Sequence, residues 1–176
     1  ARMAKIMKQA IYGSARNLNQ QTNVDLNNDY NVLDISRMSG ELLPLVLYTA
    51  LEYVWDRAKA DRTEEKAVFI DECWQLLSAT SAEGSRMAGD FILEIFKTIR
   101  GYGGSAICAS QDLYDFMSAD NGRFGKGIIN NSKTKIILNL EEDEAVRVQD
   151  ALHLSDAEIM EITHFERGTG LISTNN

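Results

Sequence analysis

The sequence predicts an α/β fold: a largely parallel sheet flanked by helices. Three observations lead there. Short apolar runs of strand length alternate along the chain with longer stretches whose apolar residues recur at helical spacing. The runs at 67–70 and 105–109 stop abruptly at polar residues, Asp71-Glu72 and Ser110-Gln111, as buried parallel strands do where they leave a sheet. Glycines punctuate the transitions, with Gly101, Gly103 and Gly104 set between a helical pattern and the strand that follows.

Residues 1–12 carry Met3, Ile6, Met7, Ala10 and Ile11 at helical spacing, with Arg2, Lys5 and Lys8 between them. This predicts an amphipathic helix packed on the body of the domain; its apolar face is weak for a membrane-surface helix. From Gly13 to Asn31 the chain is rich in Asn, Gln and Asp and reads as a long loop. Asn31–Ile35 reads as a short strand and Ser36–Gly40 as a turn. Glu41–Lys59 predicts a helix with Leu43, Val46, Leu47, Ala50, Leu51, Val54 and Ala58 on one face. Pro44, the only proline, falls in its first turn, where a missing N–H costs little. Asp61–Glu65 is a polar connection, and the strand at 67–70 follows.

Ser78–Gly84 reads as a small-residue loop, and Ser85–Arg100 as a helix with Ala88, Phe91, Ile92, Ile95, Phe96 and Ile99 inward. After the strand at 105–109, Asp112–Met117 reads as a short helix and 118–127 as a loop. Within that loop, Gly122-Arg-Phe-Gly-Lys-Gly127 is taken as flexible. Thr134–Leu140 reads as a strand. The acidic run Glu141-Glu-Asp-Glu144 then opens a helix, at the end where acids are favoured. Ser155-Asp-Ala-Glu158 is a capping box that starts a helix to about Thr163. Thr169–Thr174 is a last strand.

The chain has 176 residues, 44% hydrophobic and 25% charged, enough for one domain with a sizeable core. It opens with Ala1, and reads as a piece of something longer. A net charge of −8 argues against a dedicated nucleic-acid grip, which needs a basic surface. No apolar run approaches the roughly 20 residues of a membrane span. Cys73 and Cys108 lie in or beside apolar runs and read as buried structural thiols, not a disulfide. His153 and His164 are too few for a zinc cluster.

The organising stretch is Ala67-Val-Phe-Ile-Asp-Glu72. A buried strand delivering two adjacent acids is the Walker-B pattern. The first acid holds Mg²⁺ through its water shell, and the second orients or deprotonates the attacking water. The same pair also arises as a helix N-cap or as solvated loop residues, and the stretch alone leaves both readings open.

Several stretches in order resemble one family. They are Thr22-Asn-Val-Asp25 with Val32-Leu-Asp-Ile-Ser36; Val68-Phe-Ile-Asp-Glu-Cys-Trp-Gln-Leu-Leu-Ser78; Thr98-Ile-Arg-Gly-Tyr-Gly-Gly104; Ala109-Ser-Gln111; and Ile129-Asn-Asn-Ser-Lys133. Their order and spacing resemble the C-terminal ATPase domain of the TraC-type conjugation ATPases, within the FtsK/HerA group of RecA-like motors. The resemblance implies a RecA-like P-loop NTPase core forming one partial domain over 1–176, with a helix and loop at 1–21 and the core at 22–176. It implies that Asp71 is the Mg²⁺-water acid, Glu72 the catalytic glutamate and Gln111 the γ-phosphate sensor. Arg100 resembles the arginine that completes a neighbouring subunit's ATP site; the alternative for it is a helix C-cap. Arg100 is expected to be exposed near the C-terminal edge of the sheet. Arg123 and Arg167 are weaker candidates for the same role.

One departure is large: the sequence contains no GxxxxGK[ST] phosphate loop. The fold is therefore expected to be incomplete, missing the phosphate-loop strand. The gap is expected to close by pairing of 105–109 with 134–139 or by a strand from another chain. No nucleotide is expected on this chain alone; ATP and Mg²⁺ are implied for the complete parent. The resemblance further implies an ATPase that energises conjugative transfer or type IV secretion. It implies a homo-oligomer, a hexamer, working with other secretion-system components in the cytoplasm at the inner face of the cell membrane, with membrane association only indirect. Two alternatives stand beside it: a DNA-translocating motor of the same group, and a degenerate domain serving as an interaction scaffold.

Overall fold

A computed structural model describes residues 11–13, 20–21, 28–35, 43–78, 82–111, 113–118 and 120–174. The chain divides into two units, Ala1–Leu43 and Pro44–Asn176. In the first, Ile11 and Tyr12 are helical, within the predicted N-terminal helix. The rest of that helix and the turn at 36–40 lie outside the described residues. The strand predicted at Asn31–Ile35 does not form. Val32 is 70% exposed there, and among the described residues no strand pairs with the segment; β propensity without pairing does not make a strand.

The second unit is built on a parallel pair. Helix α1 (Leu43–Ala60) buries Leu47, Leu51, Trp55 and Ala58, spaced four, four and three residues apart along one stripe. Strand β1 (Lys66–Ile70) then pairs in parallel with β2 (Gly104–Cys108), from Lys66 opposite Gly104 to Ile70 opposite Cys108. Between them run α2 (Cys73–Ser78) and α3 (Ala82–Thr98). The helix α2 was not predicted, and α3 starts three residues earlier than the pattern from Ser85 suggested. Alternate strand residues Val68 and Ala106 pack against a cluster of Trp55, Ala58, Ile95 and Ile99, with Phe91 and Tyr102 beside it. Helices α1 and α3 thus cover one face of the pair. On the other face Phe69 is 73% exposed.

Between α3 and β2 the chain tightens into a 3₁₀ turn, Ile99–Tyr102, and reverses at Gly103 with φ 72°. A Cβ at Gly103 would lie 2.6 Å from the Arg62 carbonyl oxygen, so glycine is required by both space and backbone. Tyr102 stands edge-on to Trp55, centroids 5.4 Å apart, under the Arg62 guanidinium.

The segment read as a flexible loop at 122–127 is instead the start of α5 (Arg123–Asn131), which follows α4 (Leu113–Ser118). Its glycines serve close packing, not flexibility. A Cβ at Gly125 would meet the Phe116 carbonyl oxygen at 2.5 Å, and one at Gly127 would meet Leu93 Cδ1 at 2.7 Å. Phe124 is buried, with its ring over Gly89 of α3. Three helices approach closely because glycine stands at each contact.

Strand β3 (Thr134–Ile137) is shorter than predicted. It is followed by α6 (Glu142–Leu152) and α7 (Asp156–Ile162), and pairs antiparallel with β4 (Leu171–Thr174). The acidic run does open α6, and Glu144 reaches back to accept the Leu113 N–H at 3.2 Å. The capping box forms as predicted: Ser155 Oγ accepts the Glu158 N–H and Glu158 accepts the Ser155 N–H. Asn139 donates to the carbonyls of Ile162 and Phe165, fixing the exit of β3.

The fold is α/β, with a parallel strand pair flanked by helices. Among the described residues the strands form two separate pairs, β1–β2 and β3–β4. Direct pairing of 105–109 with 134–139, one of the two predicted closures, does not occur: β2 pairs with β1 and β3 with β4, in separate sheets.

Candidate functional site

Parallel register sets the site. Ile70 and Cys108 are opposite each other at the ends of β1 and β2. Beyond them the Ala109 N–H donates to the Ile70 carbonyl at 2.9 Å, and the Cys73 N–H donates to the Ala109 carbonyl at 3.0 Å. These bonds carry the pairing past the strand ends. Asp71-Glu72 and Ser110-Gln111 therefore leave the sheet at one edge, the C-terminal edge where open α/β sheets place ligands. Asp71 and Gln111 are exposed and Glu72 is half-buried.

The turn at the acids is constrained. Glu72 has φ 49°, a left-handed conformation that costs a non-glycine residue on the order of 1–3 kcal/mol. Asp71 Oδ1 accepts the Glu72 N–H at 3.0 Å, and the Glu72 carbonyl accepts the Gln75 N–H at 2.9 Å as α2 begins. The Trp74 indole N–H donates to Glu72 Oε2 at 2.7 Å. This last contact was not read from the sequence. The available signal was a donor-only ring two residues after an acid that ends a strand.

Beneath the edge, Cys73 is buried and Cys108 half-buried, both as free thiols. The neighbouring Cys108 thiol and burial together push the Cys73 thiol far above its ordinary range, so it stays protonated. Among the described residues no three His, Cys, Asp or Glu side chains gather to hold a metal. The exposed Asp71 carboxylate fits a different mode. Mg²⁺ keeps most of its waters and is bound through one or two carboxylates plus phosphate oxygens.

Arg100 lies elsewhere. It is exposed, as predicted, but sits in the 3₁₀ turn that enters β2, at the N-terminal edge of the pair. The five residues of β2 separate it from the acid edge by about 16 Å along the strand. The expectation that it stands near the C-terminal edge is corrected: the turn precedes its strand instead of following it. Arg123 forms ion pairs with Asp90 and Asp120 and lies over the Phe124 ring. Arg167 is exposed in the connection between α7 and β4.

A parallel pair backed by helices, with an Asp-Glu pair and a Ser-Gln pair at its C-terminal edge, is an arrangement that RecA-like P-loop folds share. Comparison with known proteins narrows the class. The family model of the TraG P-loop domain matches residues 9–170, and the chain belongs to that family. It is 30% identical over 104 residues to protein TraC of Escherichia coli (strain K12), a match covering 58% of this chain and 11% of that protein. The solved structure of VirB4 of Thermoanaerobacter pseudethanolicus superposes with a TM-score of 0.83 at 26% identity. That match covers 98% of this chain and 46% of the VirB4 chain. The chain thus spans under half the length of either relative, and it is a P-loop domain of the TraG family that is similar to parts of TraC and VirB4.

Proposed function

We propose that this chain supplies the hydrolytic half of a Mg·ATP site in a larger ATPase that energises conjugative transfer or type IV secretion. What supports the reading is the β1–β2 register, which brings Asp71-Glu72 and Gln111 to one sheet edge. In this reading Asp71 holds the water shell of Mg²⁺. Glu72 takes the proton of the attacking water, and Gln111 contacts water and the terminal phosphate oxygen, since an amide donates and accepts at once. Phosphate binding falls to a loop this sequence does not contain. Arg100, far from its own chain's acids, acts in a neighbouring subunit's site, which requires a homo-oligomer. The other secretion-system components are the partners.

The test is Glu72→Gln in the full-length protein carrying this chain. Mg·ATP binding should persist while hydrolysis falls about 100-fold or more, the range for loss of a general base. Near-normal turnover removes Glu72 from the mechanism.

A further inference from the structure

A half-buried carboxylate at a strained turn needs something to hold its aim. The backbone of Glu72 is fixed by its own N–H on Asp71 Oδ1 and by the first hydrogen bond of α2. Those bonds set where the side chain begins, not where its oxygens point. Three torsions remain, and a Glu side chain left to itself samples many rotamers. Among the described residues, the group that reaches the carboxylate is the Trp74 indole, at 2.7 Å from Oε2.

We propose that Trp74 is a positioning residue for hydrolysis: its indole N–H fixes the Glu72 carboxylate so that Oε1 faces the attacking water. This rests on the reading of Glu72 as the general base. The chemistry of the donor suits the task. Indole N–H donates and never accepts, so it takes no proton from the base and competes for none. A hydrogen bond to an ionised acceptor is about twice as strong as a neutral one. The ring itself is held, because Trp74 is half-buried in a helix whose neighbours Cys73 and Leu77 are buried. The start of that helix is tied to β2 through the Cys73 N–H on the Ala109 carbonyl, at 3.0 Å. The segment that leads from β2 into Ser110-Gln111 thereby anchors the helix that aims Glu72, so the two halves of the edge keep a fixed relation.

Position matters steeply for proton transfer, since a misplacement near 1 Å costs on the order of 100-fold in rate. The experiment uses the full-length protein in four forms: wild type, Trp74→Phe, Glu72→Gln and the double variant. Each is measured by steady-state turnover, by KM for ATP and, for the slow forms, by single-turnover hydrolysis. Trp74→Phe keeps an apolar ring and removes the donor. It should lower kcat roughly 10- to 100-fold with KM unchanged. In the Glu72→Gln background the same substitution should change hydrolysis less than about twofold, because there is no longer a base to aim. Trp74→His should restore much of the loss, because imidazole Nε2 occupies the ring position of indole Nε1. Equal losses in both backgrounds, an unchanged kcat in Trp74→Phe, or no recovery in Trp74→His would overturn the proposal and leave Trp74 as packing. Those outcomes leave the role of Glu72 standing. Near-normal turnover in Glu72→Gln alone fails at the earlier step, and takes the proposal for Trp74 with it.

Discussion

Gly125→Ala sets helix propensity against packing, and the structure says which wins. Inside a helix, alanine is favoured over glycine by about 1 kcal/mol. At Gly125 the new Cβ would lie 2.5 Å from the Phe116 carbonyl oxygen and 3.0 Å from Met117 Cα, both backbone atoms of α4. Neither can rotate aside, so α4 and α5 must separate. Overpacking of this kind costs about 1–3 kcal/mol, and a rigid neighbour places it at the upper end. The net effect is a destabilisation of about 1–2 kcal/mol, which in a chain of this size lowers Tm by about 2–8 °C. Two companions calibrate the result. At Gly127 the clash is with Leu93 Cδ1, the end of a flexible side chain, and at Gly101 nothing lies within 4 Å. Gly127→Ala should therefore be close to neutral and Gly101→Ala neutral or slightly stabilising. The assay is thermal unfolding of the purified chain followed by circular dichroism. If Gly125→Ala raises Tm as much as Gly101→Ala does, α4 and α5 do not meet at Gly125 and the packing argument fails.

Stability should also fall on the acid side in a specific way. The Ser155 N–H and hydroxyl hold the Glu158 carboxyl below its usual range, and Thr63 does the same for Asp61. The folded state therefore binds these protons at lower pH than the unfolded state does. Their contribution is complete above the ordinary carboxylate value of about 4 and is lost as pH falls through the lower folded values. Glu158→Gln should flatten the decline of Tm below about pH 4; an unchanged slope would mean the capping box does not persist in solution. Titration of this chain with Mg·ATP in a calorimeter should give no micromolar binding, because no phosphate loop is present in its sequence; a micromolar Kd would show phosphate recognition by other groups. If Arg100 acts in a neighbouring subunit's site as proposed, Arg100→Ala subunits of the full-length protein mixed with phosphate-loop mutants should recover activity; intact assembly with no recovery would assign Arg100 to capping its helix.

Much of the architecture was legible because it follows from local pattern. Apolar runs ending in Asp71-Glu72 and Ser110-Gln111 announced parallel strands, and the register turned two sequence motifs into one edge. The capping box at Ser155 was legible for the same reason, since its two hydrogen bonds join residues three apart. What escaped the sequence depends on distant partners. Gly125 and Gly127 look like loop residues until Phe116 and Leu93 are seen against them. Asn31–Ile35 has strand composition but, among the described residues, no strand pairs with it. The placement of Arg100 failed on chain direction: a turn before a parallel strand lies at the opposite edge from a turn after it. Trp55 and Trp74 went unremarked because a tryptophan fits core and site equally well. Only the neighbours, Tyr102 for one and the Glu72 carboxylate for the other, tell the two surroundings apart.

The shared edge of β1 and β2 is probed by a double-mutant cycle in the full-length protein. Hydrolysis is measured in wild type, Glu72→Gln, Gln111→Ala and the pair, with Mg·ATP binding recorded for each. Residues that act on one water and one phosphate are strongly non-additive. The double variant should hydrolyse ATP within about threefold of the weaker single variant, with binding retained in all four. If the two losses multiply in full, Glu72 and Gln111 do not serve one reacting centre, and the site assembled here at the end of β1 and β2 is not the place of hydrolysis.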